Sequence, residues 1–253
     1  MTTITPTTKR KIDSADPTRR AALIAGVLYL LTFVSSIPAV FLLEPVLTNP
    51  EYIISATTDT QVLWGTLLDL VNAFACIGTA VVLYSVMKRQ NEGLALGFVT
   101  TRVMEAAIIV IGVASLLAVV TLRQEVAGGA DPASMVIVGH ALVAVRDWTF
   151  LLGPGLMPAL NAFLLGSLMY QSRLVPRVIP VMGLIGAPLL LSSSIGTMFG
   201  INQPVSVWTA IATAPIFLWE LSLGLRMTFK GFDRSAPIIM DESSTERPGR
   251  ATS

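Results

Sequence analysis

The sequence predicts an all-α membrane protein, a bundle of six transmembrane helices, and three observations carry the prediction. First, the 253 residues are 53% hydrophobic and only 13% charged, where soluble domains carry about 25% charged residues. A water-facing surface cannot be built from so few charges, and the mean hydropathy of +0.71 agrees. Second, six apolar runs each exceed the roughly 20 residues that cross about 30 Å of hydrocarbon at 1.5 Å per residue. Third, the basic residues gather in alternate connections between those runs.

The elements follow in order. Residues 1–20 are polar, with Lys9, Arg10, Lys11, Arg19 and Arg20, and read as a cytoplasmic N-terminal tail. The apolar run 21–43 is too long for the core of a cleaved signal peptide. Although Arg19-Arg20 resembles a twin-arginine signal, the run is a full span and predicts an uncleaved first helix. Further runs lie at about 62–86, 94–121, 141–170, 178–200 and 205–228, completing a transmembrane domain over 21–230. Lipid offers no partner to a backbone amide, so runs without strand alternation must be helices. From 231 to 253 the chain turns polar and charged, the composition of a disordered cytoplasmic tail.

Basic residues fix the expected orientation. The N-terminal segment, the connections holding Lys88, Arg89, Arg173 and Arg177, and the C-terminal segment carry fourteen Lys and Arg; the alternate loops carry only Arg123. Both termini should therefore face the cytoplasm. Trp64, Trp148 and Trp208 fall near expected outer ends, as an interfacial belt requires, whereas Trp219 sits deeper beside Glu220. In the fifth run Gly183 with Ala187, and Ser192 with Gly196, are spaced for close helix packing.

Six ionisable residues lie inside the expected spans: Asp69, Arg102, Glu105, Arg146, Asp147 and Glu220. Each costs about 2.5–3.5 kcal/mol at a helix centre, so each should face the bundle interior and find a partner. Counting at 1.5 Å per residue puts Arg102, Glu105 and Glu220 at about 12 to 16 Å from the inner face, one candidate inner cluster. Arg102 and Glu105, three apart, share a helix face. One positive and two negative groups leave a charge for a proton or another donor to balance. Asp69, Asn72, Arg146 and Asp147 form a candidate outer cluster at about 9 to 11 Å depth. Adjacent in sequence, Arg146 and Asp147 point to different faces and do not pair. Polar stripes continue these faces: Thr209, Thr213, Glu220 and Gly224 in the sixth run, and Asp147, Pro154, Pro158 and Asn161 in the fourth. Either cluster could brace the helices or line a small polar cavity.

Catalytic and cofactor chemistry finds little support. One cysteine, Cys76, and one histidine, His140, cannot make most zinc sites, and Cys76 in apolar company reads as an inert thiol. No metal-protease motif, P-loop or dinucleotide fingerprint occurs, and no basic–aromatic patch suits nucleic acid. Hence no cofactor is expected, and the lipid bilayer is the one certain partner. An intramembrane hydrolase would need Ser192, Ser193 or Ser194 with His140, but the Gly-x-Ser-x-Gly setting of an exposed nucleophile is missing.

Two short motifs carry a family resemblance: Arg-x-x-Glu-Ala at Arg102–Ala106, and the stretch Pro215–Phe232 with Glu220, Leu225, Lys230, Gly231 and Phe232. Over about residues 18 to 232 the chain resembles the bacterial integral-membrane family known as domain of unknown function 4386. That resemblance implies a six-helix bundle in the bacterial cytoplasmic (inner) membrane and brings no established activity. The functional expectation is a non-enzymatic multi-pass protein whose Arg/Glu cluster binds or moves a small molecule or ion. The alternatives are an intramembrane enzyme acting on lipid or peptide, and an accessory subunit with a purely structural cluster.

Overall fold

The computed structural model describes residues 17–55 and 58–240. Among the described residues the element order is α1 (Pro17–Thr48), η1 (a short 3-10 turn, Tyr52–Ile54), α2 (Thr60–Met87), α3 (Glu92–Ala127), α4 (Pro132–Leu152), α5 (Met157–Ser172), α6 (Val178–Met198) and α7 (Val207–Phe229). Six spans long and apolar enough to cross a membrane result, because α4 and α5 together make the fourth. The chain is a multi-pass membrane protein.

The fourth span differs from the single helix expected at 141–170. It starts at Pro132, where Asp131 caps the helix by accepting from the Ser134 backbone and hydroxyl. It then breaks across Gly153-Pro154-Gly155-Leu156 and restarts at Met157. Pro154 has no N–H to give the helix and crowds the preceding turn. Pro158 sits at the start of α5, where its missing donor costs nothing.

The outside of the bundle is apolar, unlike that of a water-soluble fold, and charged groups are buried inside it. Val34, Phe41, Phe74, Val178 and Phe229 lie on the outside, while Asp69, Asn72, Arg102, Glu105, Arg146 and Asn161 are buried. Trp64, Trp148 and Trp208 are exposed; Trp219 is fully buried against α6. A Cβ on Gly183 would stand 2.8 Å from Trp219 Cδ2, so this glycine admits the indole and α7 packs closely on α6. Ala187 shares that buried face, but Ser192 does not: it is exposed, while Gly196 turns inward against Asn202.

The start of α1 and the end of α7 meet at one end of the bundle. There Arg19 donates to the carbonyls of Met227 (3.2 Å) and Thr228 (3.0 Å), capping the last turn of α7. Beyond it, residues 231–240 do not continue the disordered tail that composition suggested. Phe232 and Ala236 are buried in the main core, Ile238 and Ile239 pack against it, and Asp233 N–H donates to Leu174 O at 2.8 Å. Averaging over 231–253 hid these apolar anchors among the charges; the remainder of that segment, 241–253, lies outside the described residues, as does most of the expected N-terminal tail. At the far end, Arg123 pairs with Asp59 and donates to Ser55 O at 3.0 Å, tying α3 to η1 and the start of α2.

Candidate functional site

All six spans contribute to a cavity of about 220 Å³ in the middle of the bundle. Its polar wall is α3, on which Arg102 and Glu105 stand one turn apart. Arg102 Nη1 lies 3.1 Å from Glu105 Oε2, and Arg102 Nη2 lies 2.9 Å from Glu220 Oε1 on α7. The three side chains that depth counting grouped therefore meet, with the guanidinium between two carboxylates.

The surroundings hold this arrangement. Asn161 Nδ2 donates to Glu105 Oε2 at 2.7 Å, and Thr101 donates to Asn161 Oδ1 at 2.6 Å. The Arg102 guanidinium sits 5.0 Å from the Tyr29 ring centroid and 5.9 Å from that of Phe98. Aromatic faces favour a cation there. Arg102 Nη1 also approaches Cys76 Sγ at 3.5 Å. Cys76 thus faces the polar interior rather than the apolar company that its sequence neighbours suggested.

Each carboxylate keeps one oxygen without a hydrogen bond among the described residues, and the two differ in exposure. Glu105 is deeply buried, and its Oε2 already accepts two hydrogen bonds. Glu220 uses Oε1 for Arg102, while Oε2 takes no hydrogen bond among the described residues, and its side chain keeps 15% exposure. Thr32, Asn72 and Thr213 line the same cavity, as do Pro154 and Pro158 at the break in the fourth span. That break puts non-helical backbone at the cavity wall, which membrane proteins tolerate where it is buried in protein or lines a cavity.

The candidate outer cluster separates into three. Arg146 Nη2 pairs with Asp69 Oδ2 at 2.7 Å, both buried, with the guanidinium 5.2 Å from the Phe150 ring. Gly112 makes room for it: a Cβ there would stand 3.1 Å from Arg146 Cδ. Arg146 Nε and Nη1 have no hydrogen-bond partner among the described residues. Asn72 belongs to the central cavity instead. Asp147 is exposed and faces a second cavity of about 460 Å³ that reaches the α6–α7 connection. Helix spacing had put Asp147, Pro154, Pro158 and Asn161 on one face, but the break after Leu152 ends the register: Asp147 faces the second cavity, while Asn161 is buried behind Glu105.

His140 Nε2 lies 2.9 Å from Pro50 O, and the histidine borders a third cavity. Ser192 donates to Leu189 O, Ser193 to Thr209 Oγ1, and Ser194 to Gly155 O and Leu190 O. No hydrogen bond joins His140 to these serines among the described residues, so the geometry supplies no activated nucleophile.

Sequence reasoning missed Tyr29 and the Cys76 contact. Aromatic and thiol groups in apolar runs give no signal until the ion beside them is placed. Asn161 had one: an amide three residues beyond Pro158 on a polar stripe.

No curated protein and no solved structure matches the chain. Residues 24–231 match the family described as "Domain of unknown function (DUF4386)", a stretch that covers all of the helical bundle but the first residues of α1 and includes Arg102, Glu105 and Glu220. The chain belongs to the DUF4386 family.

Proposed function

We propose that the central cavity is a binding site for a small monovalent cation, exchanged against a proton, in a non-enzymatic membrane protein that moves this cation across the bilayer. One observation carries the reading: Glu220, with one oxygen that takes no hydrogen bond among the described residues, lines a mid-bundle cavity where two carboxylates face one guanidinium. With all three groups ionised the site is one charge short of neutrality. An uncompensated charge in hydrocarbon costs about 2.5–3.5 kcal/mol or more, so the site holds a proton or a cation at all times. In this scheme Arg102 is the fixed counter-ion, Asn161 orients Glu105, and Glu220 is the exchanging acceptor.

The basic residues support a placement of the Arg19/Phe229 end in the cytoplasm, and of the chain in the bacterial inner membrane. Reporter fusions at Gly231 and at the Gly128–Gly129 turn read this orientation directly: cytoplasmic signal at Gly231 supports it, and external signal there overturns it.

The test of function is uptake of methylammonium into proteoliposomes under an imposed pH gradient, read as the excess over protein-free liposomes, which neutral methylamine enters unaided. Wild-type protein takes it up with counter-movement of protons, and Glu220→Gln loses at least tenfold while remaining folded in the membrane. A purely bracing cluster also fits the Arg102 ion pairs. Under that reading Glu220→Gln lowers stability and the wild-type chain moves no cation.

A further inference from the structure

The larger cavity, beyond the charge cluster, touches the central one along three elements. On α6, Leu190 lines both. At the break in the fourth span, Gly155 lines the larger and Pro154 the central one. On α7, Thr209 lines the larger and Thr213 the central one, a single turn apart on one helix face. Each element passes from one space to the other within one residue or one turn. The two cavities are stacked in the same groove, and the buried Leu190 side chain stands between them.

The chemistry of the larger chamber is specific. Asp147 enters no salt bridge and accepts no hydrogen bond among the described residues, and Trp148 and Phe150 line the same wall. An unpaired carboxylate within a span is sustainable only beside water or a cation. Beside aromatic rings it favours a cation with an apolar body, which combines Coulomb attraction with cation–π contact. Both chambers offer excess negative charge on largely apolar walls.

We propose that the two chambers form one passage for an organic monocation of the substituted-ammonium class, with Asp147 as its first station, Leu190 as the partition and Glu220 as the second station. This rests on the reading of the central cavity as a cation site, and names the class of cation that it takes.

Benzyltrimethylammonium is the probe, with its uncharged isostere neopentylbenzene and the anion benzenesulfonate as comparators. Binding to the full chain in lipid nanodiscs is read from tryptophan fluorescence, with Trp148→Phe locating the signal; uptake is read in proteoliposomes. The cation binds saturably and at least tenfold more tightly than either comparator. Asp147→Asn, a change at an exposed position, weakens binding at least tenfold. Leu190→Trp keeps the binding and cuts uptake at least tenfold, whereas Leu190→Ala raises uptake; monodispersity of each variant on size exclusion shows that it is folded.

Equal binding of the neutral isostere, indifference to Asp147→Asn, or unchanged uptake in both Leu190 variants overturns the passage. If methylammonium exchange still requires Glu220 in that case, the central site stands without it. Uptake of benzyltrimethylammonium that is indifferent to Glu220→Gln overturns the central site and the passage together.

Discussion

Arg102 Nη2 and Glu220 Oε1 lie 2.9 Å apart although 118 residues separate them in the chain, and they join α3 to α7 across the middle of the bundle. The same guanidinium holds Glu105 through its other terminal nitrogen. One side chain thus carries the counter-charge for two carboxylates on different helices, which makes Arg102 the most consequential position in the interior.

Replacing Arg102 by Ala leaves both carboxylates without a counter-ion. Loss of one member of a buried ion pair costs about 3–5 kcal/mol, so the apparent thermal stability of Arg102→Ala in detergent falls steeply. Arg102→Lys keeps the charge but lacks the planar fork that reaches two carboxylates, and falls between the two. A stability within experimental error of wild type for Arg102→Ala contradicts the geometry.

The Asp69–Arg146 pair predicts a different pattern. Each single replacement, Asp69→Leu or Arg146→Met, strands a buried charge and destabilises by about 3–5 kcal/mol. Apolar substitution of both partners is far milder, because a buried ion pair and a well-packed apolar pair are close in free energy. Since neither residue lines the central cavity, the double variant retains methylammonium exchange. Its loss in a stably folded double variant would give this pair a direct role in exchange.

Gly183→Val tests the seat of α7. The added atoms meet the Trp219 indole, whose Cδ2 stands 2.8 Å from the nearest of them. Overpacking of this kind costs about 1–3 kcal/mol. Because Trp219 precedes Glu220, displacement of the indole also moves the carboxylate from Arg102. Emission from the Trp219 environment shifts and cation affinity drops together; a shift in one without the other separates packing from binding.

Tyr52 gives a pH signature at the far end, outside the spans. Burial, and then the charge of Asp59, push its hydroxyl up to about 12, against the pull of Arg123. A group whose folded value is raised adds stability that is complete below its unfolded value of 10.0 and is lost as pH rises through the folded value. Phenolate absorbance should therefore show a tyrosine titrating near 12, and Tyr52→Phe should remove it together with its share of the alkaline loss of stability. Titration of Tyr52 near 10 contradicts the packed η1 turn.

The helical bundle was legible because hydrocarbon imposes length and polarity rules that act segment by segment. The meeting of Arg102 with Glu105 and Glu220 was legible for the same reason: few charges, each with a countable depth and few partners within reach. Register across the fourth span was not. A 3.6-residue periodicity carried through Gly153-Pro154-Gly155 assumes an unbroken helix, and the break there sends Asp147 to the second cavity and Asn161 to the buried Glu105 carboxylate. Asn72 was assigned by its spacing from Asp69, but it lines the central cavity while Asp69 pairs with Arg146. The packed segment after Gly231 was hidden because four apolar anchors leave little mark on the composition of a charged stretch.

The most direct measurement is proton release on cation binding. Purified wild-type protein in weakly buffered nanodiscs, mixed with methylammonium at fixed pH, should release up to one proton per chain to a soluble pH indicator. Glu220→Gln should release none. Binding of the cation without proton release, or equal release from Glu220→Gln, would contradict the exchange of a proton for a cation at Glu220.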